Sequence, residues 1–236
     1  MTLPPHDLGV RAVLQAGGRG QRMGSGDTPK PMRAVGGVPM VERLLRQLVG
    51  AGIRDVTVVT GWLGDVVERH VEGLVSDLDG VAVDYLRERT PLGNAGALGL
   101  VPRSAPAVLV FADLVTEIDF AELVRVHRER GAVVTLASHE EQVRVRLGEI
   151  VADGDRVRAY LEKPLKTFLI CSGVAVFEPE VLALAADDPP VGLSDLVTRA
   201  LGAGHEVTHW AHGAAWADVN TPDELASVSP AGPADD

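Results

Sequence analysis

The sequence predicts an α/β fold in which a mixed, mainly parallel sheet lies between layers of helices. Short apolar runs rich in Val, Leu and Ile alternate with longer segments of helical period, which is typical of successive βαβ units. In the middle of the chain, residues 144–163 instead indicate two short strands turned at Asp153-Gly154-Asp155, which predicts a small antiparallel insertion. With 236 residues, 46% of them hydrophobic, the chain can bury one substantial core.

The chain opens with a strand, a glycine-rich loop and a helix. Residues 11–15 predict the strand, 16–27 the loop and 40–49 the helix, which Ala51 and Gly52 end. The same alternation predicts strands at 55–60, 81–86, 107–111 and 132–137, and helices at 63–74 and 120–130. After the insertion it predicts strands at 170–177, 206–210 and 215–219, the last two closing the sheet, and helices at 178–186, 193–201 and 221–228. We expect one domain over residues 1–228 and a disordered tail over 229–236.

Charge and cysteine content narrow the class of protein. A formal net charge of -11 leaves no basic surface to follow a nucleic-acid backbone, so we expect no nucleic-acid partner. The single cysteine, Cys171, cannot form an intramolecular disulfide and suits a reducing compartment. No apolar stretch approaches the length of a membrane span, and the N-terminus lacks the basic and apolar segments of a signal peptide. We therefore expect a cytoplasmic protein that does not contact a membrane.

The loop after the first strand has the composition of a phosphate-binding segment. Residues 14–32 contain five glycines, two arginines and one lysine. Glycines let the backbone approach an anion closely, and Arg22 and Lys30 can neutralise charge on phosphoryl oxygens. The spacing matches neither a P-loop nor a complete GxGxxG fingerprint. Glycine content alone is equally consistent with an ordinary surface loop, but Pro29 and Pro31 stiffen the backbone around Lys30, which favours a binding function.

Two aspartates lie at or just after the ends of predicted strands and are candidate metal ligands. Asp113 comes directly after the apolar run 107–111, which places it at the carboxyl edge of a parallel sheet, where open α/β folds bind ligands. Asp218 lies at the end of the predicted strand 215–219 and precedes a helix. Oxygen ligands of this kind suit Mg²⁺. A structural alternative for Asp113 is that it caps a turn or helix. Thr221 and Glu224 form a capping box and need no catalytic role.

The glycine-rich loop resembles the opening signature of the sugar nucleotidyltransferases, also called NDP-sugar pyrophosphorylases. The resemblance rests on Gly17-Gly18-x-Gly20-x-Arg22-Met23 followed by Pro29-Lys30-Pro31-Met32. Four further segments are similar to motifs of that family and occur in the same order: Thr90–Leu98 (TPLGNAGAL), Ala112-Asp113, Glu162-Lys163-Pro164 with Ser172-Gly173, and Asp218 before Thr221-Pro222. Together they extend over residues 14–225, almost the whole chain, so the resemblance implies a Rossmann-like nucleotidyltransferase fold.

The resemblance also implies a role for each matching residue. Catalysis would depend on Arg22, Lys30 and Asp113, and Mg²⁺ would be held by Asp113 and Asp218. The nucleotide would contact Leu14, Ala16, Gly17, Gly18, Gly20, Leu92, Gly93 and Gly96. The sugar phosphate would contact Asn94, Glu162, Lys163, Ser172 and Gly173. The chain departs from the family pattern at four of these motifs: Asn94 replaces threonine, Ala112 and Asn220 replace glycine, and Cys171 replaces asparagine.

The resemblance implies transfer of a nucleotidyl group from a nucleoside triphosphate to a sugar 1-phosphate, with release of pyrophosphate. We expect GTP and a manno-configured hexose or heptose 1-phosphate, because the chain resembles the short members of the family. Two alternatives stay open. The first is a cytidylyltransferase acting on a polyol or amino-alcohol phosphate, because the shortened loop between Arg22 and Pro29 also resembles the loop of those enzymes. The second is a catalytically silent, sugar-nucleotide-binding regulatory subunit, which the departures from the family pattern at Ala112, Asn220 and Cys171 would suit. The sequence is consistent with either a monomer or a homo-oligomer.

Overall fold

The apolar runs form a seven-stranded sheet in the computed structural model, which describes residues 7–18 and 28–228. In spatial order the strands are β12 (Val207–Ala211), β8 (Val134–Arg144), β11 (Leu165–Phe177), β6 (Ala107–Phe111), β1 (Arg11–Gln15), β4 (Asp55–Thr60) and β5 (Ala82–Arg87). Six of these strands run parallel to one another, and β11 runs antiparallel to both of its neighbours. The predicted mixed, mainly parallel sheet is confirmed.

Helices cover both faces of the sheet. They are α1 (Met40–Gly50), α2 (Gly64–Val75), α3 (Phe120–Arg130), α4 (Pro179–Leu184), α5 (Leu193–Gly202) and α6 (Pro222–Val228). One core cluster joins Leu14 of β1 to apolar side chains of α1, α2 and α3, and a second joins Val13 of β1 to those of α4 and α5. Successive residues of a strand point to opposite faces, so both must be apolar when both faces are buried. This explains why the central strands are continuous apolar runs.

The order of the strands creates a crevice at the carboxyl edge of the sheet. From β1 the chain adds β4 and then β5 on one side, and it returns to place β6 on the other side of β1. Connections therefore leave the adjacent strands β1 and β6 in opposite directions, and ligands bind at such a switch point in open α/β sheets. Gln15 pairs with Phe111, so the segments that begin at Ala16 and Ala112 start side by side.

The predicted antiparallel insertion is present and is larger than the sequence indicates. The hairpin consists of β9 (Glu149–Asp153) and β10 (Arg156–Leu161), turned at Gly154, whose φ is +56°. It stands on a two-stranded ladder formed by residues 138–144 of β8 and 165–171 of β11. The predicted strands ended at 137 and began at 170, because 138–144 (SHEEQVR) lacks an apolar face. We call residues 138–171 the arm.

The predicted strand 215–219 does not close the main sheet. Instead β13 (Trp216–Asp218) pairs antiparallel with β7 (Leu114–Thr116), a strand that the sequence did not indicate. Asp218 is opposite Leu114 in this pairing, and the Val219 N–H donates to the Asp113 carbonyl at 3.0 Å. The pairing therefore brings the segments of the two candidate metal ligands together. A separate short hairpin joins β2 (Ala34–Val35) to β3 (Val38–Pro39).

Two motif segments form short 3-10 helices, at Lys30–Met32 and Gly96–Gly99. No helix within residues 7–18 and 28–228 is both long enough and apolar enough to span a membrane.

Candidate active site

A cleft opens at the switch point, where the segments after β1 and β6 begin. Its walls come from segments that follow strands β1, β4, β5 and β6, together with the 3-10 helix at Lys30 and the end of β13. The lining residues are Gln15, Ala16, Gly17, Gly18, Lys30, Pro31, Gly61, Trp62, Glu88, Arg89, Pro91, Gly93, Asn94, Phe111, Ala112, Asp113 and Asp218. Eight predicted site residues are therefore brought together: Ala16, Gly17, Gly18, Lys30, Gly93, Asn94, Asp113 and Asp218.

Lys30 lies at the centre of the polar contacts in this cleft. Its side chain is 9% exposed, and its Nζ donates to Asp113 Oδ2 at 2.7 Å and to Asn220 Oδ1 at 2.6 Å. Asp218 Oδ1 lies 3.9 Å from the same nitrogen. A lysine this deeply buried needs charged or polar partners, since an isolated ammonium loses its hydration without compensation. Lys30 was predicted from its motif, whereas its partner Asn220 was named only as a departure from the family pattern.

The two aspartates form an acidic pair beside Lys30. Burial, followed by the nearby charge of Asp113, raises the pKa of Asp218, while the hydrogen bond from Asn220 opposes the rise. Asn220 Nδ2 donates to Asp218 Oδ2 at 2.5 Å. Asp218 Oδ1 is buried and accepts no hydrogen bond from residues 7–18 and 28–228. An unpartnered carboxylate oxygen is costly in a buried place, and it is also available to a cation.

The oxygen donors of the cleft fit a Mg²⁺ ion whose remaining ligands are phosphate and water. Mg²⁺ in nucleotide sites is held by one or two carboxylates plus substrate phosphates, and it retains several waters. Asp113 and Asp218 supply the carboxylates, and Asp218 Oδ1 accepts no hydrogen bond in the part of the chain that the structure describes. No group of three or more His, Cys, Asp or Glu suited to a metal occurs in the part of the chain that the structure describes. A protein-only metal cage is therefore not available among those residues.

Glycines bring the segment after β1 close to its neighbours. A Cβ on Gly17 would lie 2.8 Å from Glu88 Oε2, and a Cβ on Gly61 would lie 2.6 Å from the Gly17 carbonyl oxygen. The contact with backbone explains why glycine is needed at position 61, whereas at Gly17 the end of the Glu88 side chain could move aside. A Cβ on Gly18 would meet nothing of the described residues within 4 Å, and Gly18 lines the cleft. Gly20 and Arg22 lie outside the described residues, and their roles stay predictions.

The segment TPLGNAGAL forms a wall of the cleft by docking on residues before α5. Gly93 has a φ of +85°, and a Cβ there would lie 2.3 Å from the Val191 carbonyl oxygen. Asn94 Oδ1 accepts a hydrogen bond from the Leu193 N–H at 2.7 Å. The structure thus gives Asn94 a structural partner at the start of α5. Leu92 and Gly96 support this wall without lining the cleft, and Leu14 is fully buried within β1.

Several residues that line the same cleft were not among the predicted site residues, including Gln15, Trp62 and Glu88. Trp62 follows β4, Glu88 follows β5, and Gln15 ends β1. Gln15 Nε2 contacts Glu88 Oε1 at 3.5 Å, and burial raises the pKa of Glu88. Each residue stands at or just after the end of a parallel strand. Asp113 was selected because it follows a parallel strand at the carboxyl edge of the sheet, and the same criterion would have selected these residues.

Glu162 and Lys163 lie on the arm and do not line the cleft. They follow β10, their side chains are 64% and 60% exposed, and the two charged groups are 3.9 Å apart. Lys163 has a φ of +46°, and its carbonyl accepts a hydrogen bond from Arg144 Nη1 at 3.3 Å. Their predicted roles in binding the sugar phosphate stay predictions.

Ser172 is held in a hydrogen-bonded cluster at the base of the arm. Its hydroxyl lies 2.9 Å from His139 Nδ1 and 2.7 Å from His212 Nε2, and its carbonyl accepts from Trp216 Nε1 at 2.8 Å. Ser172 is fully buried, so its hydroxyl is engaged by protein groups. Gly173 has a φ of +72°, and a Cβ there would lie 3.0 Å from the Phe111 ring. The tight contact with Phe111 connects this cluster to the wall of the cleft.

Comparison with known proteins places the chain in a family. The Nucleotidyl transferase family model matches residues 11–233, so the chain belongs to that family, and the predicted family resemblance is confirmed. Mannose-1-phosphate guanylyltransferase of Mycobacterium tuberculosis is 32% identical over 232 residues, covering 92% of this chain and 62% of the relative. The catalytic subunit beta of mannose-1-phosphate guanylyltransferase of Drosophila pseudoobscura pseudoobscura is 26% identical, with 92% and 61% covered. The chain thus spans about three fifths of these relatives' length.

Solved structures support the fold. HddC from Yersinia pseudotuberculosis superimposes with a TM-score of 0.69 at 22% sequence identity, covering 93% of this chain and 97% of HddC. HddC has also been crystallised in complex with GMP-PN, with the same TM-score against this chain. The predicted nucleotidyltransferase fold is therefore confirmed.

Proposed function

We propose that the protein transfers a nucleotidyl group from a nucleoside triphosphate to a sugar 1-phosphate and releases pyrophosphate. The observation that carries this proposal is the convergence of Lys30, Asp113 and Asp218 beside Gly17 and Gly18 at the switch point of the sheet. A triphosphate needs close backbone approach and cationic groups, and transfer between two anions needs their charges screened. The cleft combines these features in one place.

In the proposed reaction, an oxygen of the acceptor phosphate attacks the α-phosphorus of the triphosphate in line. A bond forms between that oxygen and the α-phosphorus, the bond from the α-phosphorus to the bridging oxygen of pyrophosphate breaks, and no covalent enzyme intermediate forms. Asp113 and Asp218 would hold Mg²⁺, which would supply charge screening for the phosphates. Lys30 and Arg22 would stabilise the leaving pyrophosphate, and Lys163 would orient the acceptor phosphate. Positioning and charge stabilisation supply the catalysis.

We propose GTP and a manno-configured hexose or heptose 1-phosphate as substrates. Support comes from the relatives named mannose-1-phosphate guanylyltransferase in Mycobacterium tuberculosis and Drosophila pseudoobscura pseudoobscura. The GMP-PN complex of the HddC structure agrees with a nucleotide in this fold. The exposed free thiol of Cys171 suits the reducing cytoplasm, where we propose that the protein acts.

Pyrophosphate release tests the proposal. The protein is incubated with Mg²⁺, each of four nucleoside triphosphates, and a panel of sugar 1-phosphates and polyol phosphates. We expect one strong pair, GTP with a manno-configured 1-phosphate. Release only with CTP and a polyol phosphate would instead identify a cytidylyltransferase. Nucleotide binding without release from any pair would identify a silent regulatory subunit.

A further inference from the structure

Three oxygen atoms from two segments of the chain, one at Asp113 and one at 218–220, converge on Lys30 Nζ. Asp113 Oδ2 lies at 2.7 Å, Asn220 Oδ1 at 2.6 Å and Asp218 Oδ1 at 3.9 Å. Two of these oxygens belong to the carboxylates proposed to hold Mg²⁺. The ammonium of Lys30 therefore interacts with the same two carboxylates that a divalent cation requires. Two cations beside one pair of carboxylates repel each other, and this repulsion is strong where burial limits screening by water.

Asn220 is oriented to hold this arrangement together. Its Oδ1 faces an ammonium, which can only donate, and its Nδ2 faces the Asp218 carboxylate, which when ionised only accepts. The opposite orientation of the amide would place donor against donor and acceptor against acceptor. The backbone N–H of Asn220 donates to Glu224 Oε2 at 2.7 Å, which anchors the residue at the start of α6. A glycine at this position would supply neither side-chain contact.

We infer that Lys30 and the divalent cation compete for the carboxylates of Asp113 and Asp218, and that Asn220 is a positioning residue that biases this competition toward Lys30. The inference rests on the proposed function, which supplies the metal. Gly17 and Gly18 line the same cleft as Lys30, so an anion bound along them is available to Lys30 when it gives up the carboxylates. A triphosphate there would offer Lys30 a new partner, so binding of the triphosphate and of the metal would strengthen each other.

Binding of Mn²⁺ in the absence of nucleotide and acceptor tests the competition. Free Mn²⁺ is measured by electron paramagnetic resonance during titration of the whole protein. We expect Lys30→Met to lower the Mn²⁺ dissociation constant about tenfold, because it removes the competing charge. The matched control is Lys166→Met, which removes the same charge from the arm, where Lys166 pairs with Glu149 at 2.6 Å. The control should bind Mn²⁺ as the unchanged protein does.

Asn220→Gly tests the positioning role. We expect it to lower the Mn²⁺ dissociation constant about threefold, and to have a smaller effect when Lys30 is already methionine, because Asn220 acts through Lys30. A role confined to general stability would not show this dependence on Lys30. Circular dichroism and thermal unfolding confirm that each variant is folded before it is titrated.

The outcomes separate the two parts of the inference. Equal Mn²⁺ affinity in the unchanged protein and Lys30→Met would overturn the competition. Weaker Mn²⁺ binding in Asn220→Gly would show that the Asn220 amide oxygen itself serves the metal, which would overturn the bias toward Lys30. The titration uses no nucleotide and no acceptor, so its result is independent of the pyrophosphate assay, and failure of the proposed function would be recognised separately.

Discussion

The cleft and the arm each present a lysine from a recognisable motif, and the structure treats the two residues differently. Lys30 is 9% exposed in its side chain and is held by Asp113 and Asn220, whereas Lys163 is 60% exposed and its charged group has Glu162 at 3.9 Å. A charge fixed by neighbours can stabilise a transition state without further reorganisation. A charge on an exposed chain end must first be ordered by its ligand. The comparison teaches that similar motif residues can differ in how far they are preorganised.

The largest expected effect comes from the acidic pair of the cleft. Asp113→Asn keeps the side-chain size but removes the charge that faces Lys30, and we expect kcat/KM for pyrophosphate release to fall about 10³-fold. The matched control on the arm is Asp153→Asn, which removes an exposed partner of Arg158. The control should retain full activity. Near-normal turnover by Asp113→Asn would show that the cleft carboxylate matters no more for activity than an exposed carboxylate of the arm.

The next largest expected effect is a difference between Lys163 and Lys30 in which kinetic constant changes. Lys163→Ala should raise the KM for the sugar 1-phosphate about tenfold and leave the KM for the nucleotide unchanged, because an exposed acceptor-binding charge contributes to ground-state binding. Lys30→Ala should instead act mainly on kcat. Steady-state kinetics with each substrate varied in turn measure both effects. An unchanged KM for the acceptor in Lys163→Ala would remove Lys163 from the proposed site.

Glycines of the cleft and of the arm should differ in their effect on stability. Gly93→Ala combines a φ of +85° with a Cβ 2.3 Å from the Val191 carbonyl oxygen, so we expect it to lower the free energy of unfolding by about 3 kcal/mol. Gly154→Ala in the arm has a φ of +56°, and no atom of the described residues lies within 4 Å of its Cβ, so it should lower the free energy of unfolding by about 1 kcal/mol. Urea denaturation measures both values. Equal losses would show that close packing adds nothing at the cleft wall.

The smallest effect concerns the carboxylate of Glu88 in the cleft. Burial raises the pKa of Glu88 above the ordinary value of a glutamate, so folding favours the protonated form. The protonated Glu88 therefore contributes to stability at pH values below its pKa in the unfolded chain. This contribution is lost as the pH rises through the pKa of Glu88 in the folded protein. We therefore expect Glu88→Gln to raise the Tm at neutral pH by about 2 °C or less, with the difference shrinking as pH falls toward 4. Glu162→Gln, exposed on the arm, should show no such trend in the same thermal scans.

Local patterns explain which parts of the fold were predictable. Strands β1, β4 and β6 match the predicted bounds, because a strand buried on both faces must be a continuous apolar run. Asp113 was found because it follows such a run at the carboxyl edge of the sheet. The extension of β8 through residue 144 was missed because its residues are mostly polar and show no apolar face. Backbone pairing with β11 holds this extension in place. The pairing of β13 with β7 was also missed, since each strand has only three residues.

The sequence by itself determined the α/β class, the positions of the buried strands, the family resemblance and the motif residues Lys30 and Asp113. Only the tertiary structure decided that Lys30 contacts Asp113, 83 positions away, and Asn220, 190 positions away. Apolar periodicity and strand ends are local properties that a single segment displays. An ion pair between distant segments depends on how the strands are ordered and paired, and no segment contains that information alone.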